Sequence, residues 1–218
     1  MRTEAPPEAP PEAPLDCPLC PRLVAFRRDN ESDHPHYFNA PVPSFGPENA
    51  KLLVVGMAPG LHGANATGRP FTGDGAGDFL YRALAEFGFS SGTYDKRPDD
   101  GVELVGAMIT NAVRCVPPQN KPTGAEATTC RPYHVARMET LPELRVILTL
   151  GKIAHDSTLR ALGVRLKDMP FGHAAEYQLE SGMRLLSSYH TSRYNVNTRA
   201  LTWEMFSEVF ARLREICG

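Results

Sequence analysis

The sequence is poor in several things, and each shortage excludes something. No apolar run approaches the roughly 20 residues that a membrane-spanning helix needs. The N-terminus, Met1-Arg2-Thr3-Glu4, leads into proline and glutamate, so no secretory signal peptide is expected. Five cysteines in 218 residues are too few for a disulfide scaffold, and the number is odd. The expected compartment is a reducing cytoplasm, where clustered cysteines more often bind metal or do redox chemistry. Neither sign of charge dominates: 23 Lys and Arg stand against 25 Asp and Glu, for a net −2, so the chain is no histone-like polycation. The phosphate cradle G-x-x-x-x-G-K-[ST] is absent, and so is a dinucleotide G-x-G-x-x-G at the right offset from a strand.

What the chain has in excess is proline (20) and glycine (18). Residues 4–14 read EAPPEAPPEAP and hold Pro6, Pro7, Pro10, Pro11 and Pro14. A repeat of Ala, Pro and Glu has nothing large to bury, so polyproline II or disorder is expected. The reading is therefore a disordered Pro/Glu-rich tail over 1–14 and a single domain over 15–218. Glu4, Glu8 and Glu12 face only Arg2 in the tail, so the body of the chain is neutral. A neutral body can still focus a basic stripe at one crevice.

Beyond the tail, strand and helix patterns alternate. Short apolar runs at 51–56, 105–110, 145–150 and 183–188 read as buried strands. Leu80, Leu84 and Phe87 mark a helix after the first strand, and Thr123-Gly124-Ala125-Glu126 has the capping-box form of another. A further helix starts at Gly151, a polar loop is expected over 189–197, and Leu201, Met205, Val209 and Leu213 mark a last helix. The pattern predicts an α/β fold with a mostly parallel four-stranded sheet covered on both faces. Sites in such folds lie beyond the carboxyl ends of the strands. The polar, Gly- and Pro-rich loops follow the first, second and fourth strands, at those ends.

Two constellations carry chemistry. Cys17 and Cys20 form a C-x2-C pair; Cys115 follows the second strand and Cys130 lies in the next helix. Four thiolates can hold zinc tetrahedrally or an iron–sulfur cluster, and the spacing does not separate the two. Alternatively, Cys115 and Cys130 are small buried hydrophobes. Cys217 reads as a spare. The second constellation is Gly56-Met57-Ala58-Pro59-Gly60-Leu61-His62-Gly63, running on to Gly73-Asp74-Gly75-Ala76-Gly77 at a helix start. Such glycines can serve tight turns or admit a ligand to the backbone.

The stretch GMAPGLHGANATGRPFTGDGAG resembles the first signature of the uracil-DNA glycosylase superfamily, closest to its family-5, or B-type, enzymes of bacteria and archaea. Tyr189-His190-Thr191-Ser192-Arg193-Tyr194-Asn195 resembles the second signature. Cys17-x2-Cys20, the segment 113–123 around Cys115, and Cys130 are similar to the frame that holds a [4Fe-4S] cluster in thermostable-type glycosylases. The resemblance spans about Asp16 to the C-terminus.

The resemblance implies a three-layer α/β/α sandwich and excision of uracil, with other deaminated or damaged bases, from single- or double-stranded DNA. It also implies a [4Fe-4S] cluster on Cys17, Cys20, Cys115 and Cys130, with a structural role, and leaves zinc a minor alternative. The enzyme it implies is monomeric, cytoplasmic and associated with the nucleoid. Cleaving an N-glycosidic bond needs donors at the departing base and negative charge near the sugar. Most of the superfamily carries a polar residue early in the first signature, where this chain offers Met57 and Ala58; the B-type enzymes share that departure. Asp74 is then the candidate carboxylate, although Asp there also suits a helix N-cap. His190 stands where the family's histidine donates to the base carbonyl. Asn120 matches a functional asparagine, or is a plain turn residue. Gly56, Ala58, Gly60, Phe71 and Asn111 match positions that seat the flipped base. Arg193 is expected at a phosphate, Tyr194 as a minor-groove wedge, and Arg69 as a further DNA contact on a basic rim. Arg114, Lys121 and Arg199 could extend a basic rim. Two other functions remain open at this point: hydrolysis of free nucleosides or nucleotides, and a non-catalytic iron–sulfur DNA-binding protein.

Overall fold

Four apolar runs become four parallel strands in a computed structural model that describes residues 10–218. In chain order the elements are α1 (Pro21–Asp33), β1 (Leu52–Gly56), α2 (Ala64–Thr67), α3 (Gly75–Glu86), β2 (Ser90–Ser91), β3 (Glu103–Leu104) and β4 (Ala107–Asn111). A 3-10 turn (Pro118–Asn120) and α4 (Gly124–Glu139) follow. The chain ends with β5 (Val146–Leu150), α5 (Lys152–Ala161), β6 (Glu176–Gln178), β7 (Arg184–Ser188), α6 (Arg193–Asn197) and α7 (Trp203–Cys217).

The sheet order is β4-β1-β5-β7-β6. The first four strands run parallel, and β6 closes the sheet antiparallel to β7. The sheet therefore has five strands where four were expected. The fifth is three residues long and lacks an apolar run, so it left no signal in the sequence. β2 and β3 form a separate two-stranded ribbon.

Alternating side chains divide the core. Leu52, Val54, Ile109, Leu148 and Leu186 face α3 and α7. Leu53, Val55, Met108, Ile147 and Leu185 face the layer of α4 and α5. A strand buried on both faces must read as a continuous apolar run, which is how β1 and β5 were legible. The result is the three-layer α/β/α sandwich. The chain leaves β1 for β4 on one side and then crosses to β5 on the other. That reversal opens a crevice above the carboxyl ends of the strands.

The capping box at Thr123 forms in both directions: Glu126 N donates to Thr123 Oγ1 and Thr123 N donates to Glu126 Oε2. Part of the polar loop expected over 189–197 is instead α6, because the Ser192 hydroxyl caps it by accepting from Asn195 N.

The tail boundary also moves. Residues 1–9 lie outside the described residues. Residues 10–14, expected as tail, are packed: Arg137 Nη2 donates to Glu12 Oε1 at 2.7 Å and Arg114 Nη2 donates to the Pro11 carbonyl at 3.2 Å. Two buried guanidinium groups need counter-charge, and a glutamate of the repeat supplies it.

Candidate active site

The loops after β1, β4, β5 and β7 surround a cavity of about 740 Å³. Its wall includes Ala58, Gly60, Phe71, Asp74, Asn111, Asn120, His190 and Arg193, eight of the residues singled out from the sequence. They come from three separate stretches of chain, those at the ends of β1, β4 and β7, and the sheet brings them together.

Gly56 ends β1 and pairs in register with Asn111 of β4. A Cβ on Gly56 would lie 2.4 Å from Asn111 Oδ1 and 2.7 Å from the Phe71 ring. Only a residue without a side chain lets these two groups close over the strand end. Phe71 is buried and sits at φ 54°, a left-handed conformation that a bulky side chain rarely takes. Its ring lies 5.9 Å from the His190 ring, with the planes 30° apart. The cavity wall thus presents an aromatic ring and an amide side by side.

The two oxygens of Asp74 have different surroundings. Its Oδ1 accepts from Ala76 N at 3.0 Å and caps α3. Its Oδ2 has no hydrogen-bond donor among the described residues. It lies against the Gly60–Gly63 turn: a Cβ on Gly63 would fall 2.3 Å from it, and one on Gly60 2.9 Å. The glycines of this turn leave room for a carboxylate oxygen.

His190 follows β7. Burial lowers its pKa, and the nearby Asp74 charge opposes this without reversing it. The imidazole is therefore neutral at pH 7 and can donate one N–H. Asn195 Nδ2 donates to the His190 carbonyl at 2.8 Å, which fixes the backbone. Gly151 lies beneath at φ 90°, where a Cβ would press 3.3 Å from His190 Cβ. Asn120 is exposed at the cavity edge, with φ 56°.

The expected DNA-facing residues divide. Arg193 lies across the start of α3, so close to Gly75 that a Cβ there would collide with its Nε. Tyr194, next to it in the first turn of α6, is 75% exposed. Arg69 is not at the surface. It is 5% exposed and paired through both terminal nitrogens with Asp100, at 2.8 and 2.7 Å. This corrects the expectation that it contacts DNA from a basic rim, since a buried guanidinium with a matched carboxylate has no donor to offer DNA. Arg114, proposed for the rim, is 1% exposed and bonded to Ser44, Thr110 and Pro11. Lys121 and Arg199 remain exposed. Sequence reasoning passed over Lys152, Ile153 and His62, which also line the cavity. Lys152 directly follows the β5 strand end, so the strand-end rule could have found it.

The four cysteines come together elsewhere. Cys17 and Cys20 precede α1, Cys115 follows β4, and Cys130 lies in α4; all four line one small cavity of about 20 Å³. Burial is the main cause that pushes the Cys20 thiol up to about 11 and Cys115 to about 12, with neighbouring thiolates adding to both. The Arg114 amide donates to Cys130 Sγ at 3.4 Å, and the Tyr133 hydroxyl lies 3.9 Å from Cys17 Sγ. Among the described residues, no group of three or more His, Cys, Asp or Glu is placed to hold a metal ion. The thiols ring the cavity instead of meeting at one point. Cys217 lies apart from them, buried at the end of α7.

A family model described as the uracil DNA glycosylase superfamily matches residues 43–214. A type-5 uracil-DNA glycosylase of Thermus thermophilus is 46% identical over 205 residues, covering 92% of this chain and 93% of the relative. Type-5 enzymes of Mycobacterium leprae and Pyrobaculum aerophilum are 41% and 38% identical, each over 91% of this chain and 90% and 88% of their own length. The signatures, the strand-end cavity and these similarities agree: the chain belongs to the uracil DNA glycosylase superfamily, among its type-5 members.

Proposed function

We propose that this chain is a monofunctional DNA glycosylase that hydrolyses the N-glycosidic bond of uracil in DNA and leaves an abasic site. One observation carries the reading. The Phe71 ring and the Asn111 amide, packed together over Gly56, face the cavity beside an Asp74 oxygen with no hydrogen-bond donor among the described residues. A flat heterocycle with a polar edge suits that pair of surfaces once flipped out of the duplex. The base stacks on Phe71, and Asn111 reads its edge.

In the reaction, the bond from C1′ to the base nitrogen breaks and its electron pair leaves with the base. The neutral His190 imidazole donates to the base carbonyl oxygen as negative charge gathers there. The sugar becomes an oxocarbenium-like cation, and Asp74 Oδ2 stabilises it. The oxygen of a water molecule then bonds to C1′, and its proton passes to Asp74 or to solvent. Asn120 contacts the sugar or the base from the cavity edge. Arg193 meets a phosphate, and Tyr194 wedges beside the vacated stack. Met57 and Ala58, where the resemblance implies a polar group in most of the superfamily but not in its B-type enzymes, leave an apolar wall; this supports other deaminated or damaged bases as further substrates.

The four thiols fit a [4Fe-4S] cluster better than one zinc ion, because they surround a cavity, have an amide donor at Cys130 and sit beside the buried Arg114. When bound, such a cluster would cross-link the N-terminal segment to the sheet; no step above needs an electron. Iron and sulfide analysis tests the assignment, and a colourless preparation holding zinc without iron would overturn it. We further place the protein as a cytoplasmic, nucleoid-associated monomer; no helix among the described residues is long and apolar enough to cross a membrane.

The deciding assay uses single-lesion duplexes and single strands beside free deoxyuridine. Release of free uracil from the oligonucleotide without strand cleavage is expected. Turnover of deoxyuridine alone would favour nucleoside hydrolysis. Binding without release would favour a non-catalytic role.

A further inference from the structure

Phe71 holds an improbable backbone conformation, and the groups around it account for that. The hydroxyl of Tyr94 donates to the Phe71 carbonyl at 3.1 Å. The hydroxyl of Tyr81 donates to the preceding carbonyl, that of Pro70, at 2.9 Å. Arg69 Nε donates to Thr72 Oγ1 at 2.8 Å, on the other side of Phe71. Three consecutive residues are thus each held by a side chain from outside their own turn or from its base.

These holders form one unit. The Tyr81 and Tyr94 rings stack at 4.2 Å, with their planes 10° apart. The Arg69 guanidinium lies 5.2 Å from the rings of Phe45 and Tyr81 and 5.8 Å from that of Tyr94. Asp100 pairs with Arg69 and also accepts from the Asp95 and Val102 amides, at 3.0 and 3.1 Å. That carboxylate therefore folds the β2–β3 connection back on itself and brings Tyr94 to the Phe71 turn. Gly77 of α3 completes the fit: a Cβ there would lie 2.0 Å from the Phe71 carbonyl oxygen and 2.4 Å from Tyr94 Oη.

We propose that Tyr94, supported by Tyr81 and the Arg69–Asp100 pair, is a positioning residue that holds the Phe71 ring in place for the flipped base. The inference rests on the reading of Phe71 as the stacking surface. None of these groups touches the cavity that the base would enter; Phe71 does. Without the clamp, the turn relaxes toward commoner φ values and the ring leaves the cavity wall. The segment between β2 and β3, which carries no recognisable signature, thereby becomes part of the apparatus that presents the base.

A double-mutant cycle separates positioning from bulk stability. It uses the full-length protein, Tyr94→Phe, Phe71→Ala and the double variant, with kcat and KM measured on a uracil-containing oligonucleotide. Tyr94→Phe should lower kcat about tenfold, as loss of one ordering hydrogen bond allows. KM should stay within about twofold, because the DNA-facing loops are untouched. In the Phe71→Ala background the same change should shift kcat less than about twofold, because there is no ring left to place. Equal losses in both backgrounds would overturn the inference and leave the role of Phe71 standing. Wild-type turnover by Phe71→Ala would overturn that role and the inference with it. Should Tyr94→Phe fail to fold, Tyr81→Phe, which frees the Pro70 carbonyl, gives a second cycle with the same expected signs.

Discussion

Two cavities of this protein are built on opposite plans. The strand-end cavity is large and open, and its wall is mostly loop: Gly60, Gly63, Gly73 and the left-handed residues Phe71 and Asn120. The thiol cavity is about 20 Å³, and the N-terminal segment, the first turn of α1, residues 113–115 after β4 and the middle of α4 define it. The first spends conformational strain and leaves a carboxylate oxygen open, so it suits a ligand that enters and departs. The second collects groups from across the chain into one place, so it suits a permanent resident. The difference teaches that one domain can leave a polar group open in one cavity and crowd its thiols around another.

The sharpest way to break this contrast is to neutralise the open carboxylate. Asp74→Asn keeps an oxygen for the Ala76 amide, so α3 stays capped and the fold is kept. Its other position turns from anion to amide, opposite the developing sugar cation. Turnover should fall roughly 10²- to 10³-fold, as for other lost charge-stabilising groups. A folded Asp74→Asn enzyme with normal turnover would reduce Asp74 to a helix cap.

Next in size is the thiol side. Cys130→Ser should reduce iron content and loosen residues 10–20, with little direct effect on the distant strand-end cavity. Loss of a permanent cross-link costs several kcal/mol, by analogy with disulfides and structural metals. The melting temperature should then drop by about 10 °C. An unchanged melting temperature and unchanged iron would show that Cys130 is only a buried hydrophobe.

A third prediction concerns protons. His134, between α4 and α5 with Nε2 3.2 Å from Thr158 Oγ1, is fully buried. Burial first, and the Arg114 charge second, lower its pKa to about 3. Between about 6.5, the unfolded value, and 3, the unfolded chain holds a proton that the folded chain refuses. Stability therefore rises with pH across that window and is fully present above it. On acidification this one site should weaken the fold by up to about 1.4 kcal/mol per pH unit. Denaturant midpoints of His134→Gln against the parent between pH 4 and 7 check this; parallel curves would refute it.

How much of this was legible in the sequence follows from range. Strands buried on both faces, the capping box at Thr123 and the glycine signatures are local, so they could be read directly. Asn111, Asp74 and His190 were singled out through the resemblance to the glycosylase signatures; the strand order, which the sequence does not display, is what brings them to one cavity. Arg69 and Arg114 misled because a loop arginine reads as exposed until its partner is known. Asp100 is 31 residues from Arg69, and Glu12 reaches Arg114 from a segment whose composition suggested disorder. Tyr94 and Tyr81 were invisible for the same reason: their targets are backbone carbonyls, which leave no mark on the sequence.

The smallest expected effect lies at the rim of the open cavity, and it sharpens the comparison most finely. Arg193 is exposed and makes no ion pair among the described residues, so its side chain is free to meet a phosphate. Arg193→Ala removes one cation without disturbing Ser192, the α6 cap, or His190. If it neutralises one phosphate, the slope of log affinity against log salt should become shallower by about one unit. Affinity for DNA should weaken only a few-fold at moderate salt, and by the same factor whatever the sequence, because phosphate contacts carry no base information. The rate of bond cleavage on saturating DNA should be unchanged, since Arg193 is not among the groups that meet the base or the sugar. Titrations at several salt concentrations, with cleavage followed in a single turnover, separate these outcomes. A fall in the cleavage step with an unchanged salt slope would move Arg193 from the rim into the chemistry.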